Sequence, residues 1–119
     1  MRLTFGEVQS FVSDLTAARD FYERVLGLQL AEKTDKWLIF DVSGTTLILM
    51  SGAERRPYAG PYGSKSGTVV CLLCEDIDRD YAALKGQGVR FFSSVNEVAE
   101  GRYVGFQDPD GNLLELIQK

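Results

Sequence analysis

The sequence places two cysteines close together, at Cys71 and Cys74. In a loop or at the start of a helix, this C-x-x-C spacing is typical of a redox pair or of half a zinc site. Here the pair ends an almost unbroken apolar run from Thr68, with β-branched residues, which predicts a strand. Positions i and i+3 of a strand point to opposite faces, so the two sulfurs should neither meet nor share a metal. We therefore interpret both cysteines as buried core thiols.

Histidine is absent from the chain. Its absence removes the commonest metal ligand and the usual general base together. Hydrolysis by a serine–histidine–aspartate triad or by a cysteine–histidine pair is therefore excluded.

Composition indicates one small globular domain over residues 1–119, since 45% hydrophobic content in 119 residues supports one core of ordinary size. Charged residues make up 25% of the chain, and the net charge of -4 argues against nucleic acid or an anionic membrane as a partner. The N-terminus has no long apolar run after Arg2, and no stretch approaches the length of a membrane span. We expect a cytoplasmic protein.

The same order of predicted elements occurs twice, which indicates two βαβββ units. Unit one covers about residues 3–50, a linker covers about 51–67, and unit two covers about 68–119. The linker is rich in Gly, Pro and Tyr and shows neither helical nor strand periodicity. We therefore expect Arg55 and Arg56, in this linker, to be exposed and mobile.

Apolar residues at helical spacing predict one amphipathic helix over Leu15–Leu26 and a second over Ile77–Lys85. Each prediction is supported by residues that favour helix ends. The candidates are Ser13, Asp14 or Thr16 with Gly27 for the first helix, and Asp76 or Asp78 with Gly86 or Gly88 for the second. The D-P-D-G-N run from Asp108 predicts a turn between two strands, because Pro presets one dihedral and Gly supplies a positive φ.

Two phrases of the sequence carry a resemblance to a known family. They are F-V-S-D-L-T-A-A-R-D-F-Y-E-R-V-L-G-L from Phe11 to Leu28, and G-F-Q-D-P-D-G-N-L-L-E-L from Gly105 to Leu116. These phrases resemble the first helix and the final hairpin of the vicinal oxygen chelate superfamily of glyoxalases, bleomycin resistance proteins and dioxygenases. The resemblance implies an α+β fold in which two βαβββ units form a curled mixed sheet around a cleft, and it implies a homodimer.

The family carries up to four metal ligands on the first and last strands of its two units. The resemblance puts the first-strand position of unit one on Glu7, by its spacing to Asp14, and that of unit two on Val69. It puts the last-strand positions on Ile48 and Glu115. Two carboxylates and two aliphatic side chains therefore stand where the family carries its ligands.

Two carboxylates are too few for a tight transition-metal site, so the resemblance implies a degraded metal site with no resident cofactor. A divalent metal held weakly by Glu7, Glu115 and waters stays open, with Gln9 on the same strand face as Glu7. We expect both glutamates on adjacent strands, facing one cleft, where mutual repulsion and desolvation favour an acid/base pair. The alternative is a solvated cleft rim, or ion pairs with one of three arginines, Arg55, Arg56 and Arg102.

Aromatic side chains provide the remaining candidate ligand contacts, because aromatic walls with a few polar groups suit a flat organic molecule. The candidates for the cavity wall are Trp37, Tyr58, Tyr62, Phe91, Phe92 and Tyr103. The side chains assigned to the core are Phe21, Phe40 and Phe106. The predicted ligand-binding set is Gln9, Trp37, Ile48, Tyr58, Tyr62, Val69 and Tyr103.

Two functions therefore compete. The first is metal-independent binding of a small aromatic or amphipathic molecule, in the manner of the bleomycin resistance proteins of the family. The second is an enzyme, a glyoxalase-like lyase, isomerase or dioxygenase, with a carboxylate-only metal site or a metal-free glutamate base. The missing ligand positions favour the first.

Overall fold

The computed structural model describes residues 1–64 and 67–119, and contacts divide the chain into two compact units, Met1–Arg55 and Arg56–Lys119. The fold is α+β, as predicted, and each unit carries a mixed sheet with a helical segment after its first strand. Residues 56–64, which lie in the predicted linker, belong by their contacts to unit two. Within the described residues, no helix is both long and apolar enough to cross a membrane.

Unit one has the predicted βαβββ order. Its elements are β1 (Val8–Val12), α1 (Leu15–Arg19), a π-helical continuation (Asp20–Val25), β2 (Gln29–Lys33), β3 (Trp37–Val42) and β4 (Thr45–Ser51). The strand order is β1-β4-β3-β2, with β1 parallel to β4 and the other pairs antiparallel.

The helix predicted over Leu15–Leu26 is confirmed, and Asp14 is its N-terminal cap. The Asp14 carboxylate accepts hydrogen bonds from the backbone N–H groups of Thr16 and Ala17, at 2.9 and 3.2 Å. These bonds satisfy two of the donors that a helix start leaves unpaired. Gly27 follows the helix with a φ of 73°, the left-handed conformation that ends many helices.

Unit two repeats this order with one difference. Its elements are β5 (Val70–Leu73), α2 (Ile77–Gly86), β6 (Arg90–Phe91), β7 (Asn96–Val98), β8 (Gly101–Gln107) and β9 (Leu113–Gln118). The strand order is β5-β9-β8-β6, β7 also pairs with β8, and β5 runs parallel to β9. The second strand of the unit is therefore broken into β6 and β7. Between them the Ser93 hydroxyl bonds to the Ser94 carbonyl and the Asn96 amide, and such local bonds compete with a strand ladder.

The second predicted helix is also confirmed, since α2 covers Ile77–Gly86. Asp76 is its cap, and its carboxylate accepts from the backbone N–H of Arg79 at 3.1 Å. Ile77 is fully buried, and its backbone N–H donates to the Gln118 side chain at 2.8 Å. This bond ties the start of α2 to β9.

Each helical segment packs on one face of its own sheet. Phe21, Phe40 and Phe106 are buried, as predicted for the core. Because side chains alternate along a strand, the opposite face of each sheet is less buried. We call that opposite side the open face, and it carries most of the candidate site residues.

The D-P-D-G-N turn joins β8 to β9, as predicted. Asp108 is 1% exposed, and its carboxylate accepts from the backbone N–H groups of Asp110 and Asn112 and from the Asn112 amide, at 2.8 to 2.9 Å. Gly111 supplies a φ of 88°. The turn fixes the register of β8 against β9, on which the site below depends.

Candidate functional site

Glu115 lies at the centre of the open face of unit two. The parallel pairing of β5 with β9 sets Cys71 on one side of it, and the antiparallel pairing of β8 sets Gly105 on the other. Leu114 and Leu116 are buried, whereas Glu115 is half-buried. Strand alternation therefore directs Glu115 away from the helix.

Among the described residues of unit two, two donors contact the Glu115 carboxylate. The Tyr62 hydroxyl donates to Oε1 at 3.0 Å, and the Cys71 thiol donates to Oε2 at 3.5 Å. Because a carboxylate oxygen carries two lone pairs, the contacts of the described residues leave each oxygen an acceptor position for a further donor.

The interpretation of both cysteines as buried core thiols is wrong. Cys71 is exposed, Cys74 is half-buried, and both are free thiols. The apolar run from Thr68 predicts the strand correctly, but it does not tell which face of the strand is covered. Alternation places Cys71 on the open face, beside Glu115.

Both donors are held in their protonated forms. Burial, together with the hydrogen bond to Glu115 and its charge, raises the pKa of Tyr62 well above its ordinary value. Cys71 is exposed as a residue, but its sulfur lies against the carboxylate, and desolvation with the charge of Glu115 raises the pKa of its thiol. Each group therefore stays a donor at neutral pH.

Gly105 makes room for the Tyr62 ring. A Cβ atom at Gly105 would lie 2.5 Å from Cε1 of Tyr62, closer than such atoms come in real structures. The ring of Tyr62 also packs on Phe92, with 5.2 Å between centroids, and the Phe92 backbone N–H donates to the Gly105 carbonyl at 3.0 Å. The ring thus lies directly on the backbone of β8, where a side chain would displace it.

Residues 56–64, which we call the strap, carry Tyr62 to this position. Gln107 is 7% exposed, and its amide accepts from the backbone N–H of Tyr58 at 2.8 Å and donates to the Tyr58 carbonyl at 3.2 Å. The Tyr58 hydroxyl donates to the Pro61 carbonyl at 2.8 Å. Gly111 lets the strap approach, since a Cβ atom there would meet the Arg56 carbonyl oxygen.

A cavity of about 280 Å³ opens beside Glu115 within unit two. Val98, Tyr103 and Ile117 provide its apolar and aromatic walls, and the charged lining residues are Glu115, Glu100, Arg102 and Lys119. The volume is just below that of typical small-molecule pockets. Tyr103, a predicted ligand contact, lines this cavity, whereas Tyr58 and Tyr62 lie on the neighbouring strap.

The suggested pairing of Arg102 with Glu115 is wrong. Arg102 precedes Tyr103 in β8, so its side chain points to the helix face, where it donates to both carboxylate oxygens of Asp78 at 2.7 and 2.9 Å. The carboxylate of Glu97 lies 3.4 Å from Nε of Arg102. Asp78 and Glu97 therefore compensate the charge of Arg102.

Arg55 and Arg56 are exposed, as predicted, while their mobility stays a prediction. Phe91, by contrast, is not a cavity wall. Its ring packs between Tyr81 and Phe106, at centroid distances of 4.5 and 5.5 Å. Phe106 is fully buried, so Phe91 belongs to the helix side of the sheet.

The remaining predicted contacts divide between the two units. Glu7 is exposed just before β1, and Gln9 is exposed on β1, where it pairs with the half-buried Ile48 of β4. Trp37, in β3, is half-buried, and its indole N–H is buried without a hydrogen-bond partner among the described residues. Val69, half-buried, comes just before β5 in unit two.

The two glutamates are not on adjacent strands, contrary to expectation. Glu7 precedes β1, which belongs to the sheet of unit one, whereas Glu115 lies in β9 of unit two. That both side chains face one cleft stays a prediction.

Sequence reasoning missed Cys71, Gly105 and Gln107. A signal for Cys71 was present, because it precedes the cap Asp76 by the same spacing as Gln9 precedes Asp14. Gly105 and Gln107 act through contacts with the strap. Because the strap is distant from both residues in the sequence, no local pattern indicates these contacts.

The cluster formed by Glu115, Tyr62 and Cys71 does not fit a resident transition metal. In the cluster, Glu115 and Cys71 are the two potential ligands, and their polar atoms already bond to each other. Over residues 1–64 and 67–119, no three His, Cys, Asp or Glu side chains come together as a metal-binding group. Zinc usually takes three or four protein ligands.

Several known proteins are similar to this chain. The uncharacterized protein YetH of Bacillus subtilis is 29% identical in an alignment 116 positions long, and the alignment covers 93% of this chain and 94% of that protein. The fosfomycin resistance protein FosX of Listeria monocytogenes matches with a TM-score of 0.80 at 19% identity, over 100% of this chain and 95% of that one. Lactoylglutathione lyase from Agrobacterium tumefaciens matches with a TM-score of 0.74 at 20% identity, over 97% of this chain and 92% of that one.

These two structures share the fold of this chain. The family model of the Glyoxalase/Bleomycin resistance protein/Dioxygenase superfamily matches residues 4–116. That match spans nearly the whole sequence, including both phrases that carry the resemblance. The chain therefore belongs to this superfamily.

Proposed function

We propose that the chain binds a small amphipathic molecule in the cavity of unit two. The apolar or aromatic body of this molecule packs on Val98, Tyr103 and Ile117, and a hydrogen-bond donor or cation of the molecule meets Glu115. The observation that carries the proposal is a half-buried carboxylate, with acceptor positions remaining, in the wall of a cavity of about 280 Å³.

Charge favours such a ligand over an anion. A carboxylate that is partly removed from water attracts a cation more strongly than an exposed one and repels a phosphonate or carboxylate. The net charge of -4 acts in the same direction. A mutant of FosX has been crystallised with Mn(II) and a dihydroxypropylphosphonic acid, and we expect this chain to select a different class of molecule.

The alternative function is that of a metal-dependent lyase, isomerase or dioxygenase, or of an enzyme that uses Glu7 and Glu115 as an acid/base pair. The fold shared with FosX, which has been crystallised with Mn(II), supports it. We prefer binding because the cluster around Glu115 is short of metal ligands. Elemental analysis of the purified protein separates the two, since a stoichiometric transition metal would support the enzyme.

Three probes of nearly equal shape test the binding proposal by calorimetric titration. They are benzamidine, a cation, benzamide, which is neutral, and benzoate, an anion. We expect benzamidine to bind about tenfold more tightly than benzamide, the difference between a charge-assisted and a neutral hydrogen bond. Benzoate should bind most weakly.

Glu115→Gln should remove the preference for benzamidine. Glu32→Gln is the matched control, because Glu32 is exposed in β2 of unit one and its substitution changes the net charge equally. Equal preferences in the wild type and in Glu115→Gln would contradict the proposal, as would tighter binding of benzoate.

We also propose that two chains pair as a homodimer. The outer strands β1 and β5 expose large apolar side chains, since Phe11 is 56% and Leu73 is 69% exposed. Apolar edge strands are commonly covered by another chain. Light scattering at micromolar concentration should give the mass of a dimer, and a monomer mass would contradict this.

A further inference from the structure

We propose that Tyr62 is the positioning residue of the Glu115 carboxylate and thereby sets the selectivity of the cavity for donors over acceptors. The selectivity rests on the proposed function. The positioning contact does not, because it can be measured without any ligand.

The Tyr62 ring is placed by several independent features of unit two. Gly105 leaves the space that the ring occupies, and Phe92 packs on the ring at 5.2 Å between centroids. Gln107 bonds both backbone polar groups of Tyr58, at 2.8 and 3.2 Å, and so fixes the strap just before Tyr62. A ring held by a glycine, an aromatic neighbour and a buried amide has little freedom to move its hydroxyl.

The Tyr62 hydroxyl in turn limits the rotation of the carboxylate. It bonds Oε1 at 3.0 Å, while the Cys71 thiol bonds Oε2 at 3.5 Å. A hydroxyl is a much stronger donor than a thiol, so Tyr62 contributes most of the restraint. With the carboxylate plane fixed, the remaining lone pairs keep constant directions.

The same contacts explain why we expect the cavity to disfavour a ligand whose hydrogen-bond acceptor faces Glu115. Over residues 1–64 and 67–119, Tyr62 and Cys71 are the donors that reach Glu115, and both already donate to it. An acceptor group of a ligand that faces the carboxylate then finds no free donor on Tyr62 or Cys71, which costs the desolvation of that group. Loss of the Tyr62 hydroxyl lets the carboxylate rotate and weakens the discrimination.

Alkaline titration of Tyr62, followed by NMR of tyrosine labelled at the ring carbon that bears the hydroxyl, tests the contact itself. In the wild type, burial and the Glu115 carboxylate raise the Tyr62 pKa. In Glu115→Gln, the charge is gone, so the Tyr62 pKa should fall while burial keeps it above that of an exposed tyrosine. Tyr81, which donates to the Ser93 carbonyl, is the internal control. Identical Tyr62 titrations in the two proteins would overturn the positioning role.

Tyr62→Phe tests the selectivity, because it keeps the ring on Gly105 and Phe92 and removes the hydroxyl. Tyr58→Phe is the matched control on the strap, since its hydroxyl contacts Pro61 and Ser64 rather than Glu115. The preference for benzamidine over benzamide should fall about fivefold in Tyr62→Phe, the value of one hydrogen bond, and stay unchanged in Tyr58→Phe.

If the wild-type protein prefers benzamidine to benzamide and Tyr62→Phe keeps the same preference, the role of Tyr62 in selectivity is overturned. The proposed function then still stands. A wild-type protein with no preference would overturn the proposed function and this selectivity together, and the Tyr62 titration would then decide the contact alone. Thermal denaturation confirms that each variant is folded before it is titrated.

Discussion

The open faces of the two units occupy the same strand register and carry different chemistry. Superimposing the pairings of β1, β3 and β4 on those of β5, β8 and β9 gives equivalent positions. They are Gln9 and Cys71, Trp37 and Tyr103, Ile39 and Gly105, Ile48 and Glu115, and Met50 and Ile117. Unit two alone combines a carboxylate with a glycine beside it, and this glycine admits Tyr62.

The helix-facing positions, in contrast, are nearly unchanged between the units. Phe40 and Phe106 are equivalent and fully buried. The leucines next to Ile48 are matched by the leucines next to Glu115. Packing against a helix restricts these positions to apolar side chains of similar size. The open face is free of that restriction, so function can differ there without loss of the fold.

Truncation of the core should affect both units equally and strongly. Phe40→Ala and Phe106→Ala should each lower the free energy of unfolding by about 3–5 kcal/mol, because each leaves a cavity among buried side chains. Phe5→Ala, at a position that is 75% exposed, is the control and should change it by less than about 1 kcal/mol. Urea denaturation measures the free energy of unfolding of all three variants. A large loss in only one of Phe40→Ala and Phe106→Ala would contradict the equivalence of the two positions.

Gly105→Ala should have a smaller effect that is specific to unit two. The added methyl group collides with the Tyr62 ring, so we expect a loss of about 1–3 kcal/mol in the free energy of unfolding. Gly86→Ala, in α2, is the matched control, because a Cβ atom there meets nothing within 4 Å. It should leave stability unchanged or raise it. Equal stabilities of the two variants would show that Tyr62 does not lie on Gly105.

Alkylation of Cys71 should show the smallest effect, a change in rate. Removal of the Glu115 charge by Glu115→Gln lowers the raised pKa of the Cys71 thiol, so more thiolate is present at neutral pH. Reaction with iodoacetamide, followed by peptide mass spectrometry, should therefore become several-fold faster at Cys71. Cys74 is the control in the same chain, because its acidic neighbours are Asp76 and Asp80. The same alkylation rate of Cys71 in the wild type and in Glu115→Gln would contradict the contact between Cys71 and Glu115.

The sequence predicts the fold well, because the signals involved are local. Helical spacing and capping residues such as Asp14 and Asp76 locate both helices, and the D-P-D-G-N run locates the final turn. The sequence does not predict the break between β6 and β7. It depends on side-chain bonds of Ser93, which compete with the ladder without altering the apolar pattern.

The site is predicted less well, because its contacts are distant in sequence. The family phrase identifies Glu115 as a candidate, and aromatic character identifies Tyr62. Their hydrogen bond joins residues 53 positions apart. Hydrophobicity alone places Cys71 in the core, because it does not reveal which face of a strand is open.

We propose that the cavity of unit two, through Glu115, recognises a donor-bearing amphipathic molecule. A map of backbone NMR shifts during titration with benzamidine tests it most directly. We expect the largest shifts on Val98, Tyr103, Glu115 and Ile117, and we expect them to disappear in Glu115→Gln. Shifts centred on Trp37 and Ile48 of unit one, or a map unchanged by Glu115→Gln, would contradict it.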